Sequence, residues 1–217
     1  ETRWLLNLAD NNDRIKGVVG WLDLKSDQIE ERLSEFAQHS RFVGVRHVVQ
    51  DEPDDRFILH PDFLNGISKL KNLNLTYDIL IYPKQLPATL EFVKHFPEQS
   101  FVLDHIAKPD IKTGELEPWA TQIQKLSLHP NVHCKISGMV TEADWWGWKP
   151  EQFDPYLKVI LDAFGPGRLM IGSDWPVCTL AGSYKQVFHA ASRALGRMSV
   201  ADRTAVFGGN AERFYGI

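Results

Sequence analysis

The feature that most constrains the fold is a regular alternation of short apolar runs with segments of helical periodicity. We predict strands at 15–24, 41–50, 75–83, 100–109, 131–139 and 168–176. Helical segments separate or follow them near 26–39, 61–72, 85–96, 116–128, 150–163, 181–195 and 199–207. Strands that are apolar along most of their length are typical of a parallel sheet covered by helices on both faces. The pattern therefore predicts an α/β fold, and no linker or composition shift splits the chain, so residues 1–217 are interpreted as a single domain.

The opening stretch "ETRWLLNLAD" carries no strand pattern. Trp4, Leu5, Leu8 and Ala9 follow helical spacing, which predicts a helix with these four side chains on one face. The chain thus begins, as a sequence pattern, inside a helix.

The totals exclude several classes of partner. The net charge is −4 without a basic stripe, which argues against nucleic acid, and no apolar run is long enough to span a membrane. The two cysteines, Cys134 and Cys178, form no disulfide framework, and no signal peptide precedes them, so we expect a reducing, cytoplasmic location. A homo-oligomer is compatible with this composition, and a small molecule is the expected partner.

Two parallel architectures compete, the open doubly wound sheet and the closed barrel. The stretch "GVVG" does not have the spacing of a dinucleotide-binding turn. Polar residues recur at the carboxyl ends of several predicted strands, where a (β/α)8 barrel gathers its active site: Arg46 and His47, Tyr77 and Asp78, Asp104 and His105, Lys135 and Ser137, Ser173 and Asp174. We favour the TIM-like barrel.

The strand count falls short of a full barrel. Six strands are found where eight are needed, a deficit of two βα units of about 30 residues each. Together with the helical start, this predicts an N-terminally incomplete barrel that lacks its first two units. The alternative is a fold that is not a complete barrel.

Asp174 and His105 are the candidate catalytic residues. Asp174 stands at the tip of the apolar stretch "LMIGSDWPV", where a capping role and a role as general base or metal ligand are both open. His105 follows Asp104 in a strand that ends within a few residues, so it is expected near the barrel mouth. A histidine there can polarise a carbonyl, transfer protons or bind a metal.

Five further residues are candidate substrate contacts. Arg46 and His47 are neighbours on a strand and face opposite ways, and Arg46 is the better candidate for the inside, since an arginine buried against a helix is costly. Tyr77 is a further strand-end candidate. Trp145 and Trp146 lie on a loop after a strand, where they form either a packed lid or a stacking wall for a sugar-like ring.

Several catalytic motifs are absent from the sequence. No H-E-x-x-H, G-x-S-x-G or P-loop pattern occurs, which disfavours nucleophilic serine chemistry and phosphate transfer.

Four segments in this order carry a family resemblance: "LDHIAKP", "CKISGMVTEADW", "IGSDWPV" and "NAERFYGI". Together they resemble the amidohydrolase superfamily of TIM-barrel hydrolases (amidohydrolase-2 type), in its sugar-lactonase branch, which holds L-fucono-1,5-lactonase-like proteins and is related to 2-pyrone-4,6-dicarboxylate lactonase. The resemblance implies a distorted (β/α)8 barrel in which His105 ends the sixth strand and Asp174 the eighth. It covers nearly the whole chain.

The resemblance also implies the site and the reaction. A first-strand H-x-H pair of the family is absent from this sequence and is expected upstream; with it, His105 and Asp174 would ligate one divalent ion, zinc by preference, although members of the branch differ in metal use. No organic cofactor is implied. The expected reaction is hydrolysis of a sugar-derived lactone by water that Asp174 activates with His105 and the upstream histidines.

Two alternatives remain open. A metal-dependent decarboxylase of the same superfamily would lose all activity on chelation. A non-catalytic barrel would lack the H-x-H pair altogether.

Overall fold

The computed structural model describes residues 1–217 except for the side chains of Ala194 and Arg197. Its centre is one sheet of six parallel strands in the order β1 to β6, with each strand bonded to its neighbour in sequence. The strands are Val18–Gly20 (β1), Phe42–Val48 (β2), Thr76–Leu80 (β3), Phe101–Leu103 (β4), Val132–Ile136 (β5) and Leu169–Ile171 (β6). The sheet curls into a half-barrel, so the predicted α/β fold with six strands is confirmed.

Helices connect the strands and cover the outer face of the sheet. Their bounds are Thr2–Asp10 (α1), Ile29–Ala37 (α2), Pro61–Ser68 (α3), Leu86–His95 (α4), Trp119–Ser127 (α5), Asp154–Phe164 (α6), Tyr184–Ala194 (α7), Val200–Thr204 (α8) and Asn210–Tyr215 (α9). A helix between consecutive strands is what a parallel sheet requires, because the chain must return to the same edge before each new strand.

The strands are shorter than the apolar runs that predict them. The run 100–109 contributes only Phe101–Leu103 to the sheet, and the chain leaves the sheet in a turn at Asp104–Ala107. Hydrophobicity continues past the end of the strand because the turn itself is buried: Ile106 and Ala107 have no exposed surface. An apolar run therefore shows which residues are buried, but it does not show where the strand leaves the sheet.

The helix expected at the start of the chain is α1, and its apolar residues do not all face the core. Thr2, Leu6 and Ala9 are buried, whereas Trp4 and Leu8 are exposed. The cause lies at the start of the helix, where the Thr2 hydroxyl donates to the carbonyl oxygen of Trp21 and accepts from its N–H. These two bonds fix the rotation of the helix and turn the tryptophan towards solvent.

The two faces of the sheet differ in chemistry. Tyr77 on β3 points outward and packs at 6.0 Å against the rings of Phe63 on α3 and Phe92 on α4. Its neighbour Asp78 points inward and lies in register with Arg46 of β2. The outer face is thus an apolar layer, while the concave face carries charged side chains.

The last helix reaches the concave face. The hydroxyl of Tyr215 donates to the carboxylate of Asp78, with an oxygen–oxygen distance of 2.9 Å to Oδ2. Asn210, at the start of α9, donates to the carbonyl oxygens of Pro166 and Leu169 and so attaches this helix to β6. The closing segment "NAERFYGI" therefore contributes a side chain to the interior of the half-barrel.

Both cysteines are buried and carry free thiols. None of the helices in the described part of the chain has the length and apolarity that a bilayer crossing needs.

Candidate active site

The carboxyl ends of the strands surround a cavity of about 290 Å³. Its polar lining comes from β2 and β5, from the segments that follow β4, β5 and β6, and from the last helix. These residues are Arg46, Asp104, His105, Lys135, Ser137, Asp174 and Tyr215. These are the ends at which barrel enzymes place their active sites. The structure thus brings Arg46, His105 and Asp174, which the sequence singles out, into one cavity.

His105 is held in a left-handed turn. The φ angles of His105, Ile106, Ala107 and Lys108 lie between 49° and 59°, a region that costs a non-glycine residue about 1–2 kcal/mol. The turn persists because its surroundings hold it: the indole N–H of Trp119 donates to the carbonyl oxygen of Ile106 at 2.8 Å, and both apolar side chains are buried. Strain of this kind concentrates at functional sites.

Asp174 also has a left-handed backbone, with a φ of 57°. Aspartate tolerates this conformation better than most residues. The turn brings its carboxylate next to the histidine, with 3.5 Å between Asp174 Oδ1 and His105 Nε2 and only about a tenth of either side chain exposed (10% and 11%). The carboxylate therefore faces the imidazole across the cavity rather than capping the turn that follows.

The imidazole of His105 is buried beside two carboxylates. Burial lowers its pKa below the usual value, and the carboxylates of Asp104 and Asp174 oppose this shift. Its other ring nitrogen, Nδ1, lies 2.8 Å from the hydroxyl oxygen of Ser137. Both ring nitrogens thus have a polar partner.

A network of buried charges lies beneath this pair. The ammonium of Lys135 is 2.5 Å from Asp78 Oδ2 and 2.9 Å from Asp104 Oδ1, and both carboxylates are only 1% exposed. Arg46 Nη1 lies 3.1 Å from the other oxygen of Asp104. The guanidinium of Arg46 is thereby fixed at one nitrogen, and the residue lines the cavity.

The electrostatics of this network follow from burial and from the shared ammonium. Burial raises the pKa of Asp78, with Lys135 opposing the shift. Burial would also raise the pKa of Asp104, but Lys135, His105 and Arg46 outweigh it and hold the value at about 2. Two carboxylates raise the pKa of Lys135 against the effect of burial. The network therefore keeps Asp104 ionised beside the histidine.

Two predicted substrate contacts lie on the opposite face of the sheet, and the prediction for them is corrected accordingly. His47 stacks on Phe57 with 4.9 Å between ring centroids, and its Nε2 lies 2.7 Å from Glu52. Tyr77 is fully buried among the aromatic rings of α3 and α4. Since neighbouring strand residues point to opposite faces, the inward orientation of Arg46 and Asp78 turns these two away from the cavity.

Trp145 and Trp146 lie on the loop after β5 and do not line the cavity at the strand ends. They line a second cavity of about 330 Å³ together with Lys112 and Glu142. The indole N–H of Trp145 donates to the carbonyl oxygen of Thr141, whereas Trp146 is 91% exposed. One tryptophan is therefore anchored, and the other is displayed to solvent.

Lys135 and Ser137 were recognised as strand-end residues but were given no role, and Glu142 and Tyr215 were not singled out. The inward orientation of Lys135 could have been recognised from its place between the apolar residues Cys134 and Ile136, which indicates the inner face of a strand. Glu142 gave no such signal. Burial raises its pKa to about 7, although the ammonium of Lys108 lies 3.9 Å from Glu142 Oε1 and opposes the shift.

Among the residues that the structure describes, no group of three His, Cys, Asp or Glu side chains lies close enough together to hold a metal ion. His105 and Asp174 offer two donors of the types that zinc takes, whereas catalytic zinc sites use three protein ligands. These side chains alone do not complete a metal centre.

The chain is similar to proteins of a known family. A family model described as amidohydrolase matches residues 1–217. L-fucono-1,5-lactonase of Burkholderia multivorans (strain ATCC 17616 / 249) is 42% identical, over the whole chain and 77% of that protein. L-fucono-1,5-lactonase of Burkholderia ambifaria (strain AMMD) is 40% identical, over the whole chain and 76% of that protein.

Solved structures agree with the sequence comparison. A crystal structure of an amidohydrolase from Burkholderia multivorans with bound zinc superposes with a TM-score of 0.95 and 41% identity, covering 100% of this chain and 78% of that one. A putative 2-pyrone-4,6-dicarboxylic acid hydrolase from Pseudomonas putida shares the fold at 22% identity and a TM-score of 0.79, covering 100% and 77%. With a family match along its full length and relatives at 40–42% identity, the chain belongs to the amidohydrolase family.

Proposed function

We propose that this protein hydrolyses a sugar-derived lactone to the corresponding aldonic acid. The observation that carries the proposal is the Asp174 carboxylate, placed 3.5 Å from His105 Nε2 at the strand ends of an amidohydrolase barrel. The two relatives named L-fucono-1,5-lactonase, at 42% and 40% identity, support a lactone as the substrate class.

In the proposed reaction, Asp174 acts as general base. Its carboxylate takes a proton from a water molecule, and the water oxygen forms a bond to the lactone carbonyl carbon. The tetrahedral intermediate then collapses, the ring carbon–oxygen bond breaks, and Asp174 returns the proton to the leaving ring oxygen. The proton balance closes on one carboxylate, and the product is a hydroxy acid.

The negative charge on the carbonyl oxygen needs hydrogen-bond donors that are already in place. We assign this role to His105 and Arg46. The imidazole is buried and held by its left-handed turn, and the guanidinium is fixed to Asp104 at Nη1, 3.1 Å away, so neither has to reorganise when charge develops.

The tryptophan loop is the proposed wall for the sugar ring. Trp145 is anchored to Thr141, and it lines a cavity that contains charged side chains as well as the two indoles. An indole face against the apolar face of a sugar, with polar groups around its rim, suits an aldonolactone better than a planar dicarboxylate.

For a metal ion, we propose only which residues would bind it. Zinc is bound in the Burkholderia multivorans structure. In this chain a zinc ion would take His105 and Asp174 as two ligands, and it would need at least one donor beyond the described residues around them. A bound divalent ion supplies Lewis-acid polarisation of the carbonyl. The steps assigned above to the side chains do not route through it.

A pH-indicator screen tests the function. The purified protein is assayed against aldonolactones of both ring sizes, with p-nitrophenyl acetate as a generic ester and with EDTA-treated enzyme in parallel. We expect acid release from at least one aldonolactone well above the spontaneous rate, and none from the generic ester. Hydrolysis of no aldonolactone, or equal activity on the simple ester, would contradict the proposal.

A further inference from the structure

A lysine and a glutamate meet where two neighbouring strands end. Lys108 follows β4 in the same left-handed turn as His105, and Glu142 follows β5. Lys108 Nζ lies 3.9 Å from Glu142 Oε1, and only 12% and 18% of the two side chains are exposed. The aromatic ring of Tyr82, after β3, lies 5.3 Å from the ammonium and covers one side of it. Both charges are therefore largely removed from water.

The two charged groups lack the hydrogen bonds that buried charges normally make. The 3.9 Å between them is too long for a hydrogen bond, and among the described residues neither side chain has a hydrogen-bond partner. Thr141 lies beside the carboxylate, but its hydroxyl donates to the carbonyl oxygen of Gly138 at 2.8 Å. Lys135, in contrast, lies within 2.9 Å of two carboxylates. The donors of Lys108 and the acceptors of Glu142 are thus available to a ligand.

The geometry of the pair fits a hydroxyl group. An ammonium only donates, an ionised carboxylate only accepts, and a hydroxyl does both. A hydroxyl oxygen about 2.8 Å from both atoms is compatible with a separation of 3.9 Å, so one hydroxyl can bridge the pair. A protonated carboxyl also keeps an acceptor oxygen, so the bridge does not depend on the protonation state of Glu142. An anion would be repelled by the ionised glutamate and a cation by the lysine, which favours a neutral hydroxyl.

The pair lies close to both parts of the proposed substrate site. Glu142 lines the cavity of about 330 Å³ that the two tryptophans of the loop also line. Besides burial, the ammonium of Lys108 lowers the pKa of His105, and the carboxylate of Asp174 raises that of Glu142. The pair is therefore within electrostatic reach of the proposed catalytic residues, and a ring that contacts both the indoles and Asp174 would lie beside it.

We propose that Lys108 and Glu142 form a specificity site for one ring hydroxyl of the substrate, in which the ammonium donates to the hydroxyl oxygen and the glutamate accepts its hydrogen. The choice of a sugar-lactone ring as the occupant rests on the proposed function. The site distinguishes a hydroxylated lactone from the same ring without hydroxyl groups, because the bare ring leaves two largely buried charged groups without partners.

Calorimetric titration with lactams tests the site without turnover, because a lactam has nitrogen in place of the ring oxygen of a lactone and resists hydrolysis. The probes are glucono-, galactono- and fucono-1,5-lactam, with δ-valerolactam as the same ring without hydroxyl groups. We expect the wild-type protein to bind at least one hydroxylated lactam, and to bind δ-valerolactam at least about tenfold more weakly.

Variants of the pair test which residues hold the hydroxyl. Lys108→Met and Glu142→Met should each weaken binding of the hydroxylated lactam about 10–100-fold, the effect of losing one hydrogen bond to a charged group. Glu142→Gln keeps an acceptor oxygen without the charge, so its loss should be intermediate. The matched control is Lys69→Met, which breaks the 2.9 Å ion pair with Glu30 between α3 and α2 and should leave binding unchanged.

Thermal midpoints are recorded for every variant, and the mild Glu142→Gln substitution decides the result if a methionine variant does not fold. Binding of no hydroxylated lactam by the wild-type protein would overturn the proposal. Wild-type affinity in the folded variants of the pair would overturn it as well.

Kinetics separate this proposal from the proposed function. On a hydroxylated lactone, kcat/KM in Lys108→Met should fall by the same factor as the affinity for the lactam, with kcat/KM for δ-valerolactone changed by less than about twofold. Equal losses on both lactones would overturn the specificity role. Hydrolysis of no lactone, together with lactam binding that depends on Lys108 and Glu142, would refute the proposed function and leave the hydroxyl site standing.

Discussion

Replacing Lys135 by methionine removes the ammonium that the two buried carboxylates share. In the wild-type protein this ammonium lies 2.5 Å from Asp78 Oδ2 and 2.9 Å from Asp104 Oδ1. Methionine fills a similar volume without charge. Arg46 continues to neutralise Asp104, so the unbalanced charge falls mainly on Asp78, whose remaining partner is the hydroxyl of Tyr215.

The magnitude follows from the charge that is left behind. Asp78 can become neutral by binding a proton. For a carboxyl with a usual pKa of 3.8, the free energy of protonation is about 4 kcal/mol at pH 7 and about 2 kcal/mol at pH 5. Breaking a buried pair by removing one partner typically costs about 3–5 kcal/mol, in agreement with the first figure. We therefore expect Lys135→Met to lower the free energy of unfolding by about 3–4 kcal/mol at pH 7.

The sign of the pH dependence is also determined. Burial already raises the pKa of Asp78 in the wild-type protein, and loss of the ammonium that opposes this shift raises the pKa further. The native state of the variant therefore binds more protons than that of the wild type, so its stability deficit becomes smaller as the pH falls. The deficit relative to wild type should shrink by about 2 kcal/mol between pH 7 and pH 5.

Urea unfolding followed by circular dichroism at both pH values measures this deficit. The matched control is Lys158→Met, which breaks a lysine–carboxylate contact of the same 2.5 Å length on the surface and should cost less than about 0.5 kcal/mol. A deficit below about 1 kcal/mol for Lys135→Met at pH 7, or one that grows at pH 5, would refute the reasoning.

Two further predictions concern single residues. Burial lowers the pKa of His133 to about 4 from 6.5, so below pH 6.5 the unfolded chain binds a proton that the native ring does not, and stability falls as the pH drops from 6.5 to 4. After discounting for partial exposure we expect this loss to be about 1–2 kcal/mol, and urea titrations across this range should show it flattened in His133→Asn. Gly138→Ala places a Cβ 2.7 Å from that of His105 at a positive φ, and it should lower the thermal midpoint and abolish most lactonase turnover. The control is Gly167→Ala, because a Cβ at that position has open space around it, and it should change neither the thermal midpoint nor the turnover. Equal effects of the two substitutions would disprove the close packing of His105 on Gly138.

The layer structure could be predicted from the sequence because it depends on patterns that are local. Near-continuous apolar runs separated by helical segments specify buried parallel strands, and six of them form the sheet. The ends of the strands were harder to predict from the sequence. The run that ends at Pro109 leaves the sheet at Leu103, since a turn packed in the core needs the same apolar residues as a strand.

The candidate site was predictable only in part, for a geometric reason. His105 and Asp174 follow strands, and parallel strands end at the same edge, so their meeting follows from position. The side on which a strand residue lies is harder to predict when both neighbours are buried, as Tyr77 and Asp78 are. Asp78 faces inward beside Lys135, which is 57 residues away in sequence, and no local pattern contains that pairing.

The turnover of Asp174→Asn on the best aldonolactone tests the central claim most directly. Asparagine keeps the size of the side chain but cannot take a proton from water, so we predict a fall in kcat of about 10²–10⁴-fold with an unchanged thermal midpoint. The surface variant Asp162→Asn serves as the control and should match wild type, because Asp162 contacts only the exposed Lys158 among the described ion pairs. Near wild-type turnover in Asp174→Asn would contradict the assignment of this carboxylate as the base.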